Sequence, residues 1–406
     1  MKKLLTALSL AGILSSCSNS KHEAENKGAG SSPSITMLAS PAGDACAEPY
    51  LFTDTNGIVY LSWIEKIGTQ STLKYSSFRN DKWSEPVTIA SGRNWFVNWA
   101  DYPVITSDGN KNLIAHFLEK SDTAKFTYDV KIVSSADSGK TWSSSKVLHD
   151  DNIKAEHGFV SIIPYKEQFF VTWLDGRKTA SDETHGGHDG HHGEMTLRAA
   201  FIDKNGNKVN EWELDERICD CCQTTASVTS DGPIVVYRDR SVDEVRDMSI
   251  VRYVNGGWTT PRTIHADNWQ IKACPVNGPR ADGINNALVI AWFSMEDKKG
   301  QVKVVFSKDG GITFGHPIRI DEENPIGRVD VVMRDSITAI VSWMEGSSIK
   351  AVRVHADGKK EQSIMIASSS DKRSSGFPQM TLMNNKIIFA WTDDKSKSIK
   401  VASMDL

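Results

Sequence analysis

The segment of the chain best suited to chemistry is Cys219-Asp220-Cys221-Cys222, which carries three thiols in four residues. A further cysteine, Cys274, follows about fifty residues later. Thiolates at this density bind soft or borderline metals such as Cu(I) and Zn(II), because sulfur is polarisable. The same residues equally allow a structural disulfide between Cys274 and one of the three thiols. We therefore expect either a metal site, with Cu or Zn as the cofactor, or a disulfide.

Histidines form a second group of candidate metal ligands. The tract over residues 185–192 contains His185, His188, His191 and His192, separated by glycine and aspartate. Imidazole binds Zn, Cu and Ni, and the glycines predict a flexible loop that delivers metal. The alternative is a solvated loop insertion. His157 is a separate candidate, and its alternative role is a hydrogen-bonded lining of a central pore.

Seven copies of one short pattern must position these residues. Each copy is an apolar run that ends in an aromatic residue, and in six of the seven an acid follows two positions later. The aromatic residues are Trp63, Phe117, Trp173, Tyr237, Trp292, Trp343 and Trp391. Successive ones lie 48 to 64 residues apart, which is the period of a four-stranded propeller blade. We predict an all-β chain with a single β-propeller, with seven blades preferred and six as the alternative.

The ends of the chain bear on how this ring closes. The first copy divides into predicted strands at 48–54, 59–63, 73–78 and 87–90, bounded by turn residues. The seventh copy ends after its third strand. We expect an N-terminal strand at 35–39 to supply the missing one, because closure removes an exposed edge.

Blade geometry also predicts which residues meet. In an antiparallel blade, the loop entering the first strand and the loop joining the second and third strands emerge at the same end. We call this end of the ring the loop face, and the cysteines and histidines above fall in its loops. The acids of the repeated pattern are expected at its rim, where their repetition favours a structural role; they are Glu65, Glu119, Asp175, Asp239, Glu345 and Asp393.

The N-terminus predicts export. A basic start and an apolar run over residues 4–14 precede a tetrad that ends at Cys17 and resembles a bacterial lipobox. We predict a lipoprotein signal peptide at 1–16, lipidation of Cys17, a flexible tether at 17–33 and the propeller at 34–406. The alternative is an ordinary cleaved signal or an uncleaved anchor.

These assignments place the protein outside the cytoplasm, in a bacterial cell envelope, attached to a membrane through its lipid alone. Five cysteines remain after Cys17, an odd number, so at least one is free, ligated or paired between molecules. The formal net charge of −4 argues against nucleic acid as a partner.

Two turns between third and fourth strands share the pattern Ser-x-Asp-x-Gly-x-Thr-aromatic, at residues 135–142 and 307–314. The aspartate bonds turn amides and the glycine adopts a positive φ. On these motifs the chain resembles the Asp-box (BNR repeat) proteins of the sialidase superfamily, over roughly residues 34–406. The resemblance implies a propeller whose binding site lies at the loop face, and an exo-sialidase type of activity on an acidic glycan.

Sialidase chemistry needs arginines for the sugar carboxylate, a Tyr/Glu nucleophile pair and an acid. Under the resemblance we expect Asp101 as the acid, Tyr237 as the nucleophile and Glu244 as its activator. The expected substrate-binding residues are Arg177, Arg238, Arg240, Arg246 and Arg328. The Arg-Ile-Pro signature of sialidases is absent, and the alternative for residues 238–247 is a salt-bridge network that holds a long loop.

The sequence thus predicts a lipid-anchored propeller that binds or hydrolyses an acidic glycan, or takes another small ligand, at the loop face. The alternative is a non-hydrolytic metal or redox propeller that uses the four cysteines named above. A third possibility is a scaffold that docks another envelope protein.

Overall fold

A computed structural model describes Met1, residues 34–182 and residues 193–406, and Ser34–Leu406 form one compact unit. Thirty strands in this part of the chain build seven antiparallel sheets, which are the blades of one ring. The prediction of a seven-bladed propeller is confirmed. Among the described residues, no helix has the length and apolar character needed to cross a membrane.

The strand bounds follow the predicted repeat. The first blade and the strand before it are β1 (Ile35–Leu38), β2 (Cys46–Thr53), β3 (Val59–Ile67), β4 (Gln70–Arg79), β5 (Lys82–Trp83) and β6 (Val87–Gly92). The second is β7 (Ile105–Ser107), β8 (Leu113–Lys120), β9 (Tyr128–Ser135) and β10 (Lys146–Val147). The third is β11 (His157–Tyr165), β12 (Gln168–Asp175), β13 (Thr196–Ile202) and β14 (Lys208–Asp215).

The remaining blades repeat this order. The fourth is β15 (Thr225–Val228), β16 (Pro233–Arg238), β17 (Met248–Val254), β18 (Gly257–Trp258) and β19 (Arg262–His265). The fifth is β20 (Arg280–Ile284), β21 (Ala287–Ser294), β22 (Gln301–Ser307) and β23 (Ile318–Arg319). The sixth is β24 (Pro325–Asp335), β25 (Thr338–Glu345), β26 (Ser348–His355) and β27 (Ile364–Ser368). The seventh contains β28 (Gln379–Met383), β29 (Lys386–Asp393) and β30 (Ser398–Asp405). Short 3₁₀ turns lie at Thr179–Asp182, Glu296–Lys298 and Arg373–Ser375.

The ring closes through the N-terminal strand, as predicted. Strand β1 pairs antiparallel with β30, with Ile35 opposite Met404 and Leu38 opposite Val401. The seventh sheet therefore has four strands drawn from both ends of the described chain. First strands from six blades line a central cavity of about 620 Å³.

The seven pattern aromatics are the core of the blades. None of them is more than 5% exposed, because each lies on a second strand that has a neighbouring strand on either side. An acid two positions later satisfies the indole nitrogen in the third blade, where Trp173 Nε1 donates to Asp175 Oδ2 at 2.8 Å, and in the sixth blade the same contact forms. The fifth blade has Ser294 at that position, and Trp292 Nε1 instead donates to Asp267 Oδ2 at 2.7 Å.

Both Asp-boxes form the expected local turns. In the first box Asp137 accepts bonds from Ser135 Oγ at 2.8 Å and from Thr141 N at 2.9 Å, while Gly139 has a φ of 81°. The second box repeats these bonds. Hydrogen bonds from the neighbouring threonine lower the pKa of Asp137 to about 2, so this carboxylate stays ionised and holds the turn. Because the boxes join third and fourth strands, they lie at the end of the ring opposite the loop face.

Candidate functional site

Three cysteine sulfurs converge on the loop face. Cys219, Cys221 and Cys222 lie in the loop between β14 and β15, and we call them the thiol cluster. The Cys219 Sγ lies 3.5 Å from Cys222 Sγ and 3.9 Å from Cys221 Sγ. Sulfur ligands of a tetrahedral zinc ion with bonds of about 2.3 Å stand about 3.8 Å apart. The cluster therefore has the spacing of a metal-thiolate site before any ion binds.

The thiols differ in exposure. Cys219 and Cys222 are buried and Cys221 is partly exposed, while Cys274 is exposed beside them. All five cysteines of the described residues are free thiols, so the disulfide that the sequence allowed from Cys274 is not formed. The cluster is therefore accessible to solvent at Cys221.

Two guanidinium groups polarise the cluster. Arg246 Nη1 donates to Cys219 Sγ at 3.1 Å, and the Cys219 amide bonds the carbonyl of Arg238 at 3.1 Å. Burial opposes ionisation of Cys219, but the thiols of Cys221 and Cys222 and the charges of Arg246 and Arg238 outweigh it, and the pKa of Cys219 falls well below its ordinary value. These contacts favour the thiolate form of Cys219, which is the nucleophilic and metal-ligating form of a cysteine.

Cys221 and Cys222, unlike Cys219, favour their protonated forms. Burial raises the pKa of Cys222 to about 12. The hydrogen bond to Cys219 raises the pKa of Cys221 above its ordinary range. The thiol of Cys221 in turn lowers the pKa of Cys274. A metal ion that bound to Cys221 and Cys222 would release their protons.

The arginine-rich loop beside the cluster is internally paired. Arg240 Nη2 lies 2.8 Å from Glu244 Oε1, and Arg246 Nη2 lies 2.7 Å from Glu244 Oε2. Arg240 also reaches Asp220 Oδ1 at 3.2 Å. The hydrogen bond from Arg240 lowers the pKa of Glu244 to about 2. These contacts are those of the salt-bridge network that the sequence offered as the alternative role of the loop.

Two more of the predicted substrate-binding arginines hold backbone carbonyls. Arg238 is 2% exposed and donates to the carbonyls of Asn277, Arg246 and Phe293 at 2.7 Å each. Arg328 is 6% exposed; it donates to the carbonyls of residues 371, 372 and 376 at 3.0 Å each. Both guanidiniums tie the loops of adjacent blades together.

The remaining predicted substrate ligand, Arg177, lies apart from these two. Its Nε is 2.8 Å from Asp175 Oδ1 and 3.0 Å from Asp151 Oδ2, and its Nη2 is 3.1 Å from Glu211 Oε1. Each of the five arginines named from the sequence therefore already has protein partners.

The predicted catalytic residues have separate partners. Tyr237 is 1% exposed and donates to Asp215 Oδ2 at 2.6 Å. Asp101 accepts from Phe159 N at 2.8 Å, and burial raises its pKa to about 8. Within residues 34–182 and 193–406, no hydrogen bond joins any two of Asp101, Tyr237 and Glu244. The cavity beside Asp101 measures about 10 Å³, which is room for one water rather than a sugar.

A tyrosine hydrogen-bonded to a carboxylate lies next to Asp101. No sequence motif predicted this group. Tyr128 Oη donates to Glu156 Oε1 at 2.8 Å and reaches Asp101 Oδ2 at 3.3 Å. Burial raises the pKa of Glu156 to about 7. Tyr128 itself is fully buried, and Glu156 is partly exposed on the loop face. The group contains residues from two blades, so the spacing of these residues along the chain did not predict their contact.

His157 is fully buried beside His149, Asp151 and Asp175 rather than beside the thiol cluster. The histidine tract at 185–192, with His185, His188, His191 and His192, lies outside the described residues. So does the predicted lipidation site, Cys17.

Comparisons with known proteins found similarity over most of the propeller. The family model described as "BNR repeat-like domain" matches residues 68–389. The solved polysaccharide lyase Uly1 is 8% identical with a TM-score of 0.56, covering 91% of this chain and 92% of that one. The S511A mutant of puromycin hydrolase is 12% identical with a TM-score of 0.55, covering 89% of this chain and 52% of that one.

A microbial sialidase, Hadza Hz136, is also similar. It is 12% identical with a TM-score of 0.44, and the match covers 74% of this chain and 63% of that one. The chain thus spans less than two thirds of the length of Hz136 and about half that of puromycin hydrolase. No curated protein sequence matches the chain. At 8% and 12% identity, the likeness to Uly1 and to puromycin hydrolase shows the fold alone.

Proposed function

The chain belongs to the BNR repeat-like domain family, and on this premise we propose that its propeller binds a soft metal ion at the thiol cluster, with Cu(I) preferred over Zn(II). The observation that carries the proposal is the convergence of three sulfurs, each within 4.8 Å of the others, on the loop face. Soft thiolate ligands suit both Cu(I) and Zn(II).

Charge supports the same ion. Three thiolates with Cu(I) carry a net charge of −2; the Arg246 guanidinium, which donates to Cys219, and the charge of Arg238 act against it. A zinc ion prefers four ligands, which requires Cys274 or a water to join the cluster. Three sulfurs alone already suit Cu(I).

The test is an anaerobic titration of the reduced chain with Cu(I) against a chromophoric chelator. The starting protein carries serine at His185, His188, His191 and His192, so that the histidine tract adds no copper. We expect one tightly bound Cu(I) per chain. The matched control is Cys46→Ser, because Cys46 is a buried thiol of the first blade whose pKa burial raises to about 11. The proposal is contradicted if no Cu(I) passes from the chelator to the protein. It is also contradicted if the Cys46→Ser control no longer binds Cu(I).

A second candidate function is binding or hydrolysis of an acidic glycan at the loop face, of the exo-sialidase type. The observation that favours it is Glu156, a partly exposed carboxyl with a pKa near 7 that is hydrogen-bonded to a tyrosine. An acid with such a pKa is suited to protonate a leaving group at neutral pH. Turnover of a fluorogenic sialoside that is abolished in Glu156→Gln supports this function. The absence of both turnover and sialic acid binding rejects it.

We further propose that the propeller works outside the cytoplasm, tethered to a membrane by a lipid on Cys17. The support is the lipobox-like tetrad and the polar segment that follows it. Cys17→Ser should move the protein from the detergent-soluble membrane fraction to the aqueous fraction of cells that express the full chain. An unchanged distribution contradicts the lipid anchor.

A further inference from the structure

The central cavity of the ring extends to the end that carries the Asp-boxes, which we call the Asp-box end. Asp54 and Thr55, which follow the last residue of β2, line its outer part. Its inner end is formed by Tyr50, Ser161 and Arg280, which also line the adjoining space on the loop-face side. That space measures about 10 Å³, which holds one water. The central cavity, at about 620 Å³, therefore has a narrowed inner end and the size of a small-ligand site.

The carboxylates in the wall of this cavity are engaged with the backbone of the blades. Asp282 accepts from Met333 N at 2.7 Å, and its other oxygen accepts from the next amide of its own strand at 2.9 Å. Asp330 accepts from Met380 N at 2.7 Å and lies 3.0 Å from Arg280 Nε. Because these bonds join first strands of neighbouring blades, the aspartates have a structural role.

Three hydrogen-bond donors of the cavity have no such partner. The guanidinium of Arg280 bonds Asp330 through Nε and Gln379 through Nη2, at 3.0 and 2.9 Å. Its Nη1, the hydroxyl of Tyr50 and the hydroxyl of Ser227 make no hydrogen bond in the described part of the chain. None of these three atoms is fully buried, and all three residues line the cavity. A ligand of this cavity must therefore offer hydrogen-bond acceptors.

Charge favours a ligand that is neutral. The positive charge of Arg280 is already offset by Asp330 at 3.0 Å, so an anion gains little from the guanidinium and is opposed by that carboxylate. A cation would face Arg280, which does not lose its proton in a protein. A ligand hydroxyl both accepts and donates. Several hydroxyls on one neutral molecule can therefore accept from the free donors and also donate to the aspartates.

We propose that the central cavity binds a neutral saccharide of one or two sugar units from the Asp-box end. Arg280 and Tyr50 donate to it at the inner end, and Ser227 donates to it from the wall. This site is separate from the thiol cluster and from Glu156, which belong to the loop face. It differs in ligand from the acidic glycan considered there.

The test titrates the folded chain, without copper, with glucose, galactose and mannose and with the uronate of each, by saturation-transfer NMR. A hexose and its uronate differ only in that a carboxylate replaces the hydroxymethyl group. We expect at least one hexose to bind saturably and its uronate to bind at least about 10-fold more weakly, because like charges placed together are unfavourable. Tyr50→Phe and Ser227→Ala should each weaken hexose binding about 3- to 10-fold, because each removes one hydrogen bond.

Neither variant should change the thermal unfolding midpoint without sugar, because neither hydroxyl bonds the protein. The matched control is Tyr165→Phe, since Tyr165 is also on a first strand but packs on Phe201 outside the cavity. It should bind the hexose as the parent does, and so should Glu156→Gln. The site is overturned if the folded chain binds none of the three hexoses, or if the uronate binds as tightly. It is also overturned if the double variant Tyr50→Phe, Ser227→Ala keeps the parent affinity, or if Glu156→Gln removes binding. Because copper is absent and no sialoside is used, these outcomes are independent of the two functions proposed for the loop face.

Discussion

Serine at Cys219, Cys221 and Cys222 together should weaken Cu(I) binding by at least about 10³-fold, which corresponds to a loss of about 4 kcal/mol. The physical reason is that a hydroxyl oxygen is a hard, protonated ligand, whereas Cu(I) prefers polarisable sulfur. The measurement is the competition with a chromophoric chelator described above, carried out on the parent and on the triple variant in the same buffer. A triple variant that retains the affinity of the parent excludes the thiol cluster as the site.

Single cysteine variants and changes of pH should also alter the affinity for Cu(I). Cys274→Ser should cost far less than Cys219→Ser, because Cys274 is exposed and lies outside the trio of converging sulfurs. The affinity should rise with pH, because Cu(I) must displace protons from Cys221 and Cys222, whose pKa values are raised. Cys219 should add less to this slope than Cys221 and Cys222, because its pKa is lowered whereas theirs are raised. Affinity that is independent of pH would contradict the assignment of these thiols.

Arg238→Met should destabilise the propeller by at least roughly 3 kcal/mol, because it removes the guanidinium donor from three carbonyls at about 1 kcal/mol or more each. Methionine keeps the apolar stem that packs near Trp269, where the guanidinium carbon lies 4.8 Å from the ring centroid. The measurement is urea unfolding followed by fluorescence. The sequence suggested a ligand-binding role for this residue, and the carbonyl contacts favour a structural one.

The matched control is Arg240→Met on the same loop. Its side chain is 23% exposed and pairs with Glu244 and Asp220, so its loss should cost less than about 1 kcal/mol. Equal stability of the two variants would contradict the structural role of Arg238. Loss of sialoside binding by a fully stable Arg238→Met chain would restore the ligand-binding role.

The architecture was predictable because its determinants recur locally. Each blade repeats an apolar run and an aromatic residue on its second strand, and alternation along a strand places that residue in the core. The strand at Ile35–Leu38 was foreseeable because the seventh blade lacked a fourth strand and an open edge is unfavourable. The Asp-box turns were also predictable from the sequence, since the hydrogen bonds of the Ser135, Asp137 and Thr141 side chains lie within seven residues of chain.

The roles of the charged residues were not predictable in the same way. Arg238 and Arg246 are residue types suited to binding a carboxylate, yet Arg238 donates to backbone carbonyls and Arg246 donates to Glu244 and Cys219. The pairing of Tyr128 with Glu156, and that of His149 with the start of the third blade, likewise depend on contacts between blades.

By itself, the sequence determined the seven-bladed ring, its closure, the Asp-box turns and the density of thiols at Cys219 to Cys222, because each depends on interactions between residues near in the chain or on one repeated period. Only the tertiary structure decided which arginines are occupied, which acids have raised pKa values and which histidines meet. Those outcomes depend on partners in adjacent blades, where burial and the distance between charges, rather than spacing along the chain, determine the free energy of each contact.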